Sequence, residues 1–310
     1  MRSSEDSMTD YCIETDALTK CYGKKTALND FSLKVQKGGI HAIVGSNGAG
    51  KSTLFRLLLG MIAPTSGSAK VLGVDSQNLT TDVRGKVGYV NEEHTLPVWM
   101  TAKAATHMQR SFYPLWDQKI YDHVIGYFDV DPNQKISGLS RGERAGLNLS
   151  MALAQSPEIL ILDEPTLGLD VVAKQSFLEA LMFTETERAA TIIYCSHQME
   201  EIERVADQLI IMEKGHLKNN SAPHEFVERV SVWAAEVNGK PIDRSQIPGL
   251  LNIKRIDDQH HIMVTDQGDD FPEKVKHLGL TDLQSMPVNL ERAVNAFLSK
   301  NHNSPDSKIG

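Results

Sequence analysis

The chain has 310 residues, 41% of them apolar and 23% charged, which is typical of a globular sequence with about two domains. Its longest purely apolar runs have the length of a strand, well below the roughly 18 residues of a membrane-spanning helix, so a membrane span is not expected. The net charge of −8 comes without a block of like-signed residues, and this argues against a nucleic-acid partner.

The first part of the sequence alternates short β-like segments with turns. Residues 1–10 are polar and lack the apolar stretch of a secretory signal, so we expect a flexible N-terminus on a protein that remains where it is made. Strands are predicted at Cys12–Leu18, Phe31–Val35 and Ile40–Val44. The last strand runs into a glycine-rich loop, after which apolar residues recur at helical spacing as far as Gly60.

The middle of the sequence is predicted to be mainly helical, from Thr101 as N-cap to Leu153. Two bare apolar runs follow, Ile159–Leu162 and Thr191–Tyr194, of the kind found in parallel strands that are covered on both faces. A helical pattern at Val172–Thr186 separates them. These patterns predict an α/β core that a helical insert interrupts.

The composition changes past Ser221 and predicts a second, smaller domain. An antiparallel meander followed by two helices is expected there, and residues 301–310 are expected to form a flexible tail. The predicted strands are Val230–Val237, Leu251–Ile256 and His261–Val264, and the predicted helices lie near Pro272–Leu278 and Leu290–Leu298.

The glycine-rich loop fits the pattern G-x-x-x-x-G-K-[ST], in which backbone N–H groups surround phosphates. Glycine is needed because a Cβ would block both positive φ values and the close approach of the backbone. Lys51 supplies a charge to the β and γ phosphates, Ser52 offers a hydroxyl to Mg²⁺, and the next helix offers its positive N-terminus. The residues predicted to bind nucleotide here are Gly45, Ser46, Asn47, Gly48, Ala49, Gly50, Lys51, Ser52 and Thr53.

Two adjacent acids, Asp163 and Glu164, follow the apolar strand Ile159–Leu162. An open α/β sheet binds its ligands at the carboxyl ends of its strands, where these acids are expected. Asp163 fits the role of Mg²⁺ partner, and Glu164 that of the general base that activates water. The alternative is that Glu164 only caps the strand or forms an ion pair.

Together these residues resemble the ATPase subunits of ATP-binding-cassette (ABC) transporters, over roughly residues 11–220. The resemblance implies an α/β fold of the P-loop NTPase class: an ABC cassette with a helical signature subdomain at about 93–155. Residues 221–300 would then form a small α+β accessory domain. Leu139 to Glu143 is similar to the ABC signature sequence, and the family implies that Ser140 and Gly142 form a second anion site. That site would meet the γ phosphate held by a second cassette, so that two ATP molecules lie between two cassettes.

Other residues take their roles from the resemblance alone. Asp170 corresponds to the acid of the loop that communicates across the dimer, His197 to the switch histidine, and Tyr22 to the ring that stacks on adenine. Glu92 aligns with a metal-sensing glutamine, and as a carboxylate it can still face Mg²⁺. The signature also departs from the family pattern, with Arg141 in place of a glycine and Glu143 in place of a glutamine. The favoured interpretation is that both are exposed residues at the start of the helix without chemical roles; otherwise these departures affect the turnover rate and not nucleotide binding.

The resemblance predicts a subunit that binds ATP and Mg²⁺, pairs with a second cassette as a homodimer or heterodimer, and hydrolyses ATP. It implies an integral membrane permease as partner, contacted by the region from Glu92 to Trp116, and a cytoplasmic position on the inner face of the cell membrane, with export preferred. Two alternatives stay open. One is a soluble ABC ATPase that acts on ribosomes or DNA, and the other is a weakly hydrolysing regulatory cassette, which Arg141 and Glu143 suggest.

Overall fold

The computed structural model describes residues 11–188, 190–237, 243–256 and 259–299. The chain divides into two units, one that ends at Asn220 and one that begins at Ser221. The flexible ends predicted for residues 1–10 and 301–310 lie outside the described residues. Within the described ranges, no helix combines the length and the apolar character that crossing a bilayer demands.

The first unit contains two sheets and a set of helices. Its strands are β1 (Tyr11–Tyr22), β2 (Lys25–Gln36), β3 (Ile40–Val44), β4 (Ser66–Val71), β5 (Val74–Asp75), β6 (Val87–Asn91), β7 (Ile159–Asp163), β8 (Thr191–Cys195), β9 (Gln208–Glu213) and β10 (His216–Ser221). Its helices are α1 (Lys51–Leu58), α2 (Thr81–Gly85), α3 (Ala102–Phe112), α4 (Gln118–Ile125), α5 (Arg141–Ala154), α6 (Val171–Arg188) and α7 (Met199–Val205).

A six-stranded sheet in the order β10-β9-β3-β8-β7-β6 forms the centre of this unit, and its neighbours from β9 to β6 pair in parallel. Alternate residues of the central strands enter different clusters of the core, as β7 illustrates. In β7, Ile159 and Ile161 pack in one cluster, whereas Leu160 and Leu162 pack in another. Burial on both faces explains why these strands are uniformly apolar, as predicted. A second sheet, in the order β2-β1-β4-β5, adds to the first cluster.

The predicted helical insert consists of α3, α4 and α5 with loops between them. Thr101 caps α3 as expected, since its hydroxyl accepts a hydrogen bond from the Ala104 N–H at 3.2 Å. Gly146 of α5 lies against the ring of Phe128, so closely that an added Cβ would come within 2.1 Å of the ring. This contact fixes α5, and with it the segment at its N-terminus, within the insert.

The second unit is an antiparallel sheet with short helices, and its strand order differs from the predicted meander. Its elements are α8 (Pro223–Glu228), β11 (Val230–Val237), β12 (Leu250–Ile256), β13 (Gln259–Thr265), α9 (Phe271–Val275), β14 (Leu280–Met286) and α10 (Leu290–Ser299). The order is β12-β13-β11-β14, so β11 pairs with β13 and not with β12, the next strand in the chain. The predicted meander, in which each strand pairs with the next one in the chain, was therefore wrong. A fourth strand, β14, pairs with the other edge of β11.

Candidate active site

A cavity of about 500 Å³ opens in the first unit where β3 ends and α1 begins. The glycine-rich loop, the β1–β2 hairpin and the end of β7 all contribute to its wall. The lining residues are Tyr22, Lys25, Ala27, Asn47, Gly48, Ala49, Gly50, Lys51, Ser52, Thr53, Glu92, Asp163 and Glu164. The structure thus brings most of the predicted nucleotide and metal residues to one place.

Backbone geometry requires glycine at three positions of the glycine-rich loop, one of them Gly45, where an added Cβ would lie 2.4 Å from a main-chain oxygen of β9. Gly48 and Gly50 have φ values of 83° and 107°, in the left-handed region. At Gly50 an added Cβ would also lie 2.5 Å from the main-chain oxygen of Ala27, so that β2 leaves no room for a side chain. The loop is closed by its own lysine, since the Lys51 Nζ donates a hydrogen bond to the Gly45 main-chain oxygen at 2.6 Å. A phosphate that enters the loop would meet this ammonium group.

The β1–β2 hairpin supplies one side of the cavity. Tyr22 ends β1, is 45% exposed, and holds the Nζ of Lys20 at 5.2 Å from its ring centroid. Its ring is therefore available to a ligand, as the predicted adenine contact requires. Lys25 also lines the cavity, and sequence reasoning missed it. The tight turn after Tyr22 could have indicated Lys25. The strand register pairs Tyr22 with Lys25, so the two side chains are neighbours across the hairpin.

Asp163 lies at the end of β7, where burial raises the pKa of its carboxyl group above the usual value. The adjacent Glu164 charge acts in the same direction, while a hydrogen bond with Ser52 and the charge of Lys51 oppose it. The Ser52 hydroxyl and the carboxylates of Asp163 and Glu92 thus line one cavity. Oxygen atoms of this kind are the ligands that Mg²⁺ prefers. No group of three or more His, Cys, Asp or Glu side chains that could hold a metal ion occurs in the described ranges.

Glu164 occupies a strained position beside Asp163. Its φ is 51°, in a region that non-glycine residues rarely adopt, and such strain is often stored at functional sites. Both carboxylate oxygens are held: the His197 Nδ1 donates to Oε2 at 2.8 Å, and the Cys195 thiol donates to Oε1 at 3.8 Å. The Glu164 side chain is 16% exposed and that of His197 55% exposed. The predicted pair of Glu164 and His197 is therefore in direct contact, although His197 does not line the cavity.

The signature segment forms a capping box at the start of α5. The Ser140 hydroxyl accepts from the Glu143 N–H at 3.2 Å, and the Glu143 carboxylate accepts from the Ser140 N–H at 2.6 Å. Sequence reasoning missed this structural role of Glu143. Neither Ser140 nor Gly142 lines the cavity described above. An acid thus occupies the helix terminus where the second anion site was predicted.

Arg141 connects the signature segment to two other loops. Its Nη2 donates to the Glu92 main-chain oxygen at 3.4 Å. Its guanidinium also lies over Gly168, where an added Cβ would be 3.0 Å from the Cζ of Arg141. Asp170, two residues further on, accepts from the Ala173 N–H at 2.9 Å and so caps α6. Within one chain, Asp170 therefore serves its own helix and does not line the cavity.

His94 is a buried residue that the sequence did not single out. It is 2% exposed, and its Nε2 donates to the Pro165 main-chain oxygen at 2.8 Å, directly after Glu164. The pKa of His94 is lowered to about 4, mainly by burial; the hydrogen bond to Pro165 opposes the shift, and the charges of Arg141 and Arg144 contribute to it. His94 is thus held neutral in the folded protein.

We expect the neutral His94 to make folding stability depend on pH. The pKa of about 4 lies below the 6.5 of an unperturbed histidine, so the unfolded chain binds the proton more readily. The contribution is complete above pH 6.5 and is lost as the pH falls towards 4, by about 3 kcal/mol in total. Urea unfolding in EDTA at several pH values measures this contribution. The difference in the free energy of unfolding between wild type and His94→Gln should shrink as the pH falls from 6.5 towards 4. The exposed His107→Gln should follow wild type, and an equal pH dependence in both variants would contradict the assignment.

Comparisons with known proteins identify relatives over most of the chain. The ABC transporter family matches residues 28–167. The Nod factor export ATP-binding protein I of Rhizobium johnstonii is 32% identical over 233 residues, which covers 74% of this chain and 75% of that protein. Its counterpart in Neorhizobium galegae is 28% identical over 299 residues, which covers 94% of this chain and 86% of that protein.

Solved structures agree on the fold. An ATP-binding subunit of an ABC transporter matches with a TM-score of 0.63 at 23% identity, over 70% of this chain and 92% of that one. A dimeric ATP-binding cassette in a post-hydrolysis state, bound to ADP and Pi, matches with a TM-score of 0.61 at 22% identity, over 68% of this chain and 98% of that one. The expected cassette fold is thereby confirmed.

Proposed function

Because this chain belongs to the family of ABC transporter ATP-binding proteins, and is thus an ATP hydrolase, we propose that it acts as half of a cassette pair that drives a separate membrane permease. The observation that carries the proposal is the meeting of the glycine-rich loop, Asp163 and Glu164 around one cavity, with His197 hydrogen-bonded to Glu164. Phosphate-binding donors, metal-binding oxygens and a held carboxylate are the groups that ATP hydrolysis needs.

In this proposal the triphosphate lies against the N–H groups of the loop 45–53, and the Lys51 ammonium neutralises its charge. Tyr22 offers its ring to the base, and Lys25 adds a second positive charge at the cavity wall. Ser52, Asp163 and Glu92 would hold Mg²⁺, which supplies further neutralisation of the phosphate oxygens. Binding is thus assigned to residues of a single chain.

Hydrolysis is assigned to Glu164 and His197. A water between Glu164 and the γ phosphate would attack the γ phosphorus as its proton passes to the carboxylate, while the bond from that phosphorus to the β–γ bridging oxygen breaks and ADP leaves. Glu164 would thus be the general base. The His197 Nδ1–H, which donates to Glu164 Oε2, holds that carboxylate in one orientation. The left-handed backbone at Glu164 fits such a role, because strained conformations of this kind cluster at active sites.

A second cassette completes the site in our proposal. Ser140, Gly142 and Asp170 do not line the cavity of their own chain, which fits residues that act on the nucleotide of a partner. Directly after Asp170, Val171 and Val172 are 83% and 76% exposed, an apolar pair that a partner would cover. We place the paired cassettes on the inner face of the cell membrane.

The permease is proposed to contact the region from Glu92 to Trp116. Trp99, Phe112 and Leu115 are 73%, 70% and 69% exposed there. Phe112 and Leu115 also line a groove of about 400 Å³, large enough for side chains of a cytoplasmic segment of the permease. Export is the proposed direction, because the relatives named above are export ATP-binding proteins.

The test is reconstitution of the chain with the integral protein that copurifies with it from solubilised membranes. We expect the integral protein to raise the ATP turnover of the chain. When Trp99 and Leu115 are both replaced by Ser, the chain should no longer bind that protein. The exposed pair Met61 and Ile256, replaced in the same way, is the matched control. Copurification with ribosomes, and turnover that no membrane protein changes, would favour the soluble alternative.

A separate prediction concerns the acid in the signature segment. Glu143→Gln keeps an oxygen that can accept from the Ser140 N–H but removes the charge, so that less repulsion meets an incoming phosphate. We expect the KM for ATP to fall by about two- to fivefold, with little change in thermal stability. Glu143→Ala should instead lose about 1 kcal/mol of stability with the cap. An unchanged KM in Glu143→Gln would mean that the acid is only a capping residue.

A further inference from the structure

A buried carboxylate close to the proposed catalytic pair has no role in the chemistry described so far. Glu201 of α7 is 6% exposed, and its Oε2 accepts hydrogen bonds from three hydroxyls. They come from Thr166 at 2.8 Å, Tyr194 at 2.5 Å and Ser196 at 3.0 Å. Its Oε1 is buried and, among the described residues, has no hydrogen-bond partner. A buried acid is costly, so its retention calls for a reason.

The arrangement calls for a strong hydrogen-bond acceptor at this position. Three hydroxyls converge on one oxygen, and an apolar residue in place of Glu201 would leave all three buried donors unpaired. Hydrogen bonds to an ionised acceptor are about twice as strong as neutral ones. Glu201 is therefore suited to hold separate segments at fixed positions.

Two of the donors flank the proposed catalytic residues. Thr166 is two residues after Glu164, and Ser196 directly precedes His197. The Ser196 oxygen also accepts from the Gln198 N–H at 3.1 Å, which closes the turn with His197 at its centre. Through these bonds Glu201 connects the segment of the proposed base with that of the proposed histidine.

We propose that Glu201 is a positioning residue for ATP hydrolysis, which keeps the His197 ring in hydrogen-bond contact with Glu164 by holding Thr166 and Ser196 on one carboxylate oxygen. This inference rests on the roles proposed above for Glu164 and His197. Since Glu201 does not line the cavity, nucleotide binding does not depend on it. Its loss acts on the rate of the chemical step, because misplacement of a reacting group by about 1 Å can reduce a rate by about a hundredfold.

The test uses the full chain and steady-state ATP hydrolysis. Glu201→Gln weakens the acceptor at constant shape, and Ser196→Ala removes the donor beside His197. We expect each to lower kcat by about ten- to a hundredfold and to leave the KM for ATP within about twofold. Tyr194→Phe is the matched control: it removes a hydrogen bond from the same oxygen, together with a 3.4 Å contact with the Thr166 hydroxyl, but it is adjacent to neither catalytic residue. It should lower the melting temperature and keep kcat within about twofold.

A double-mutant cycle separates positioning from a general loss of structure. His197→Ala should reduce kcat much less in the Glu201→Gln protein than in wild type, because both changes remove the same contact. The inference would be overturned if the losses of kcat in the cycle were additive. It would also be overturned if kcat were unchanged in Glu201→Gln and Ser196→Ala, or if Tyr194→Phe lost as much kcat as they do. If His197→Ala and Glu164→Gln themselves turn over ATP at the wild-type rate, the roles proposed for them fail, and this inference fails with them.

Discussion

Replacing Glu164 by Gln is expected to stall hydrolysis while ATP stays bound. The amide cannot take the proton from water, so turnover should fall by about 10² to 10⁴, the contribution that a general base usually makes. Binding should persist because the loop around Lys51 and the oxygens of Ser52 and Asp163 are untouched. The variant should therefore accumulate as an ATP-bound pair of cassettes. Phosphate release measures the first effect, and light scattering with and without ATP the second.

The control for this result is Glu200→Gln, which removes an equal charge at an exposed position of α7. It should hydrolyse ATP at the wild-type rate. A Glu164→Gln protein with unchanged turnover would exclude Glu164 as the base. A protein that stops hydrolysing but stays monomeric with ATP would leave the base in place and contradict the proposed pairing.

Replacing Lys51 by Ala is expected to remove most of the affinity for ATP. The ammonium group is the positive charge within the loop, and it also donates to the Gly45 main-chain oxygen that begins the loop. A hydrogen bond between charged groups contributes about 1.5 to 3 kcal/mol, so affinity should fall by about 10- to 150-fold. Equilibrium titration with a labelled ATP measures the change.

Lys24→Ala provides the comparison for Lys51→Ala. Lys24 lies in the turn of the β1–β2 hairpin, is exposed, and does not line the cavity. Its removal changes the net charge by the same amount, so a loss of affinity limited to Lys51→Ala is a local effect. Near-normal ATP affinity in Lys51→Ala would contradict the assignment of the loop.

The cassette fold was predictable because its signals are local. The run Ile40–Val44 before a glycine loop, and apolar strands such as Ile159–Leu162, are typical of a parallel sheet whatever surrounds them. The second unit shows the limit of such signals. In β14 the interior residues are mostly half-buried or exposed, so the segment lacks an apolar run that would mark a strand. Whether β11 pairs with β12 or β13 depends on contacts between distant residues, which periodicity does not encode.

The same distinction between local signals and distant contacts applies to the functional site. Motif residues such as Lys51 and Asp163 could be found from spacing, whereas the contacts that hold them could not. Glu201 reaches Thr166 across 35 positions in sequence, and His94 reaches Pro165 across 71. Cys195 donates to Glu164 from a neighbouring strand. Such contacts follow from tertiary packing, and no local pattern of residue types indicates them.

The register of the parallel sheet determines whether the residues of the site lie together. Asn91, Asp163 and Cys195 stand side by side at the ends of three adjacent strands, and Cys195 pairs in turn with Ile43 just before the glycine loop. A slip of β7 by one position would turn Asp163 from one face of the sheet to the other and carry Glu164 away from His197. The residues that one chain contributes to the site therefore depend on this register, and unfolding of the central sheet separates them all at once.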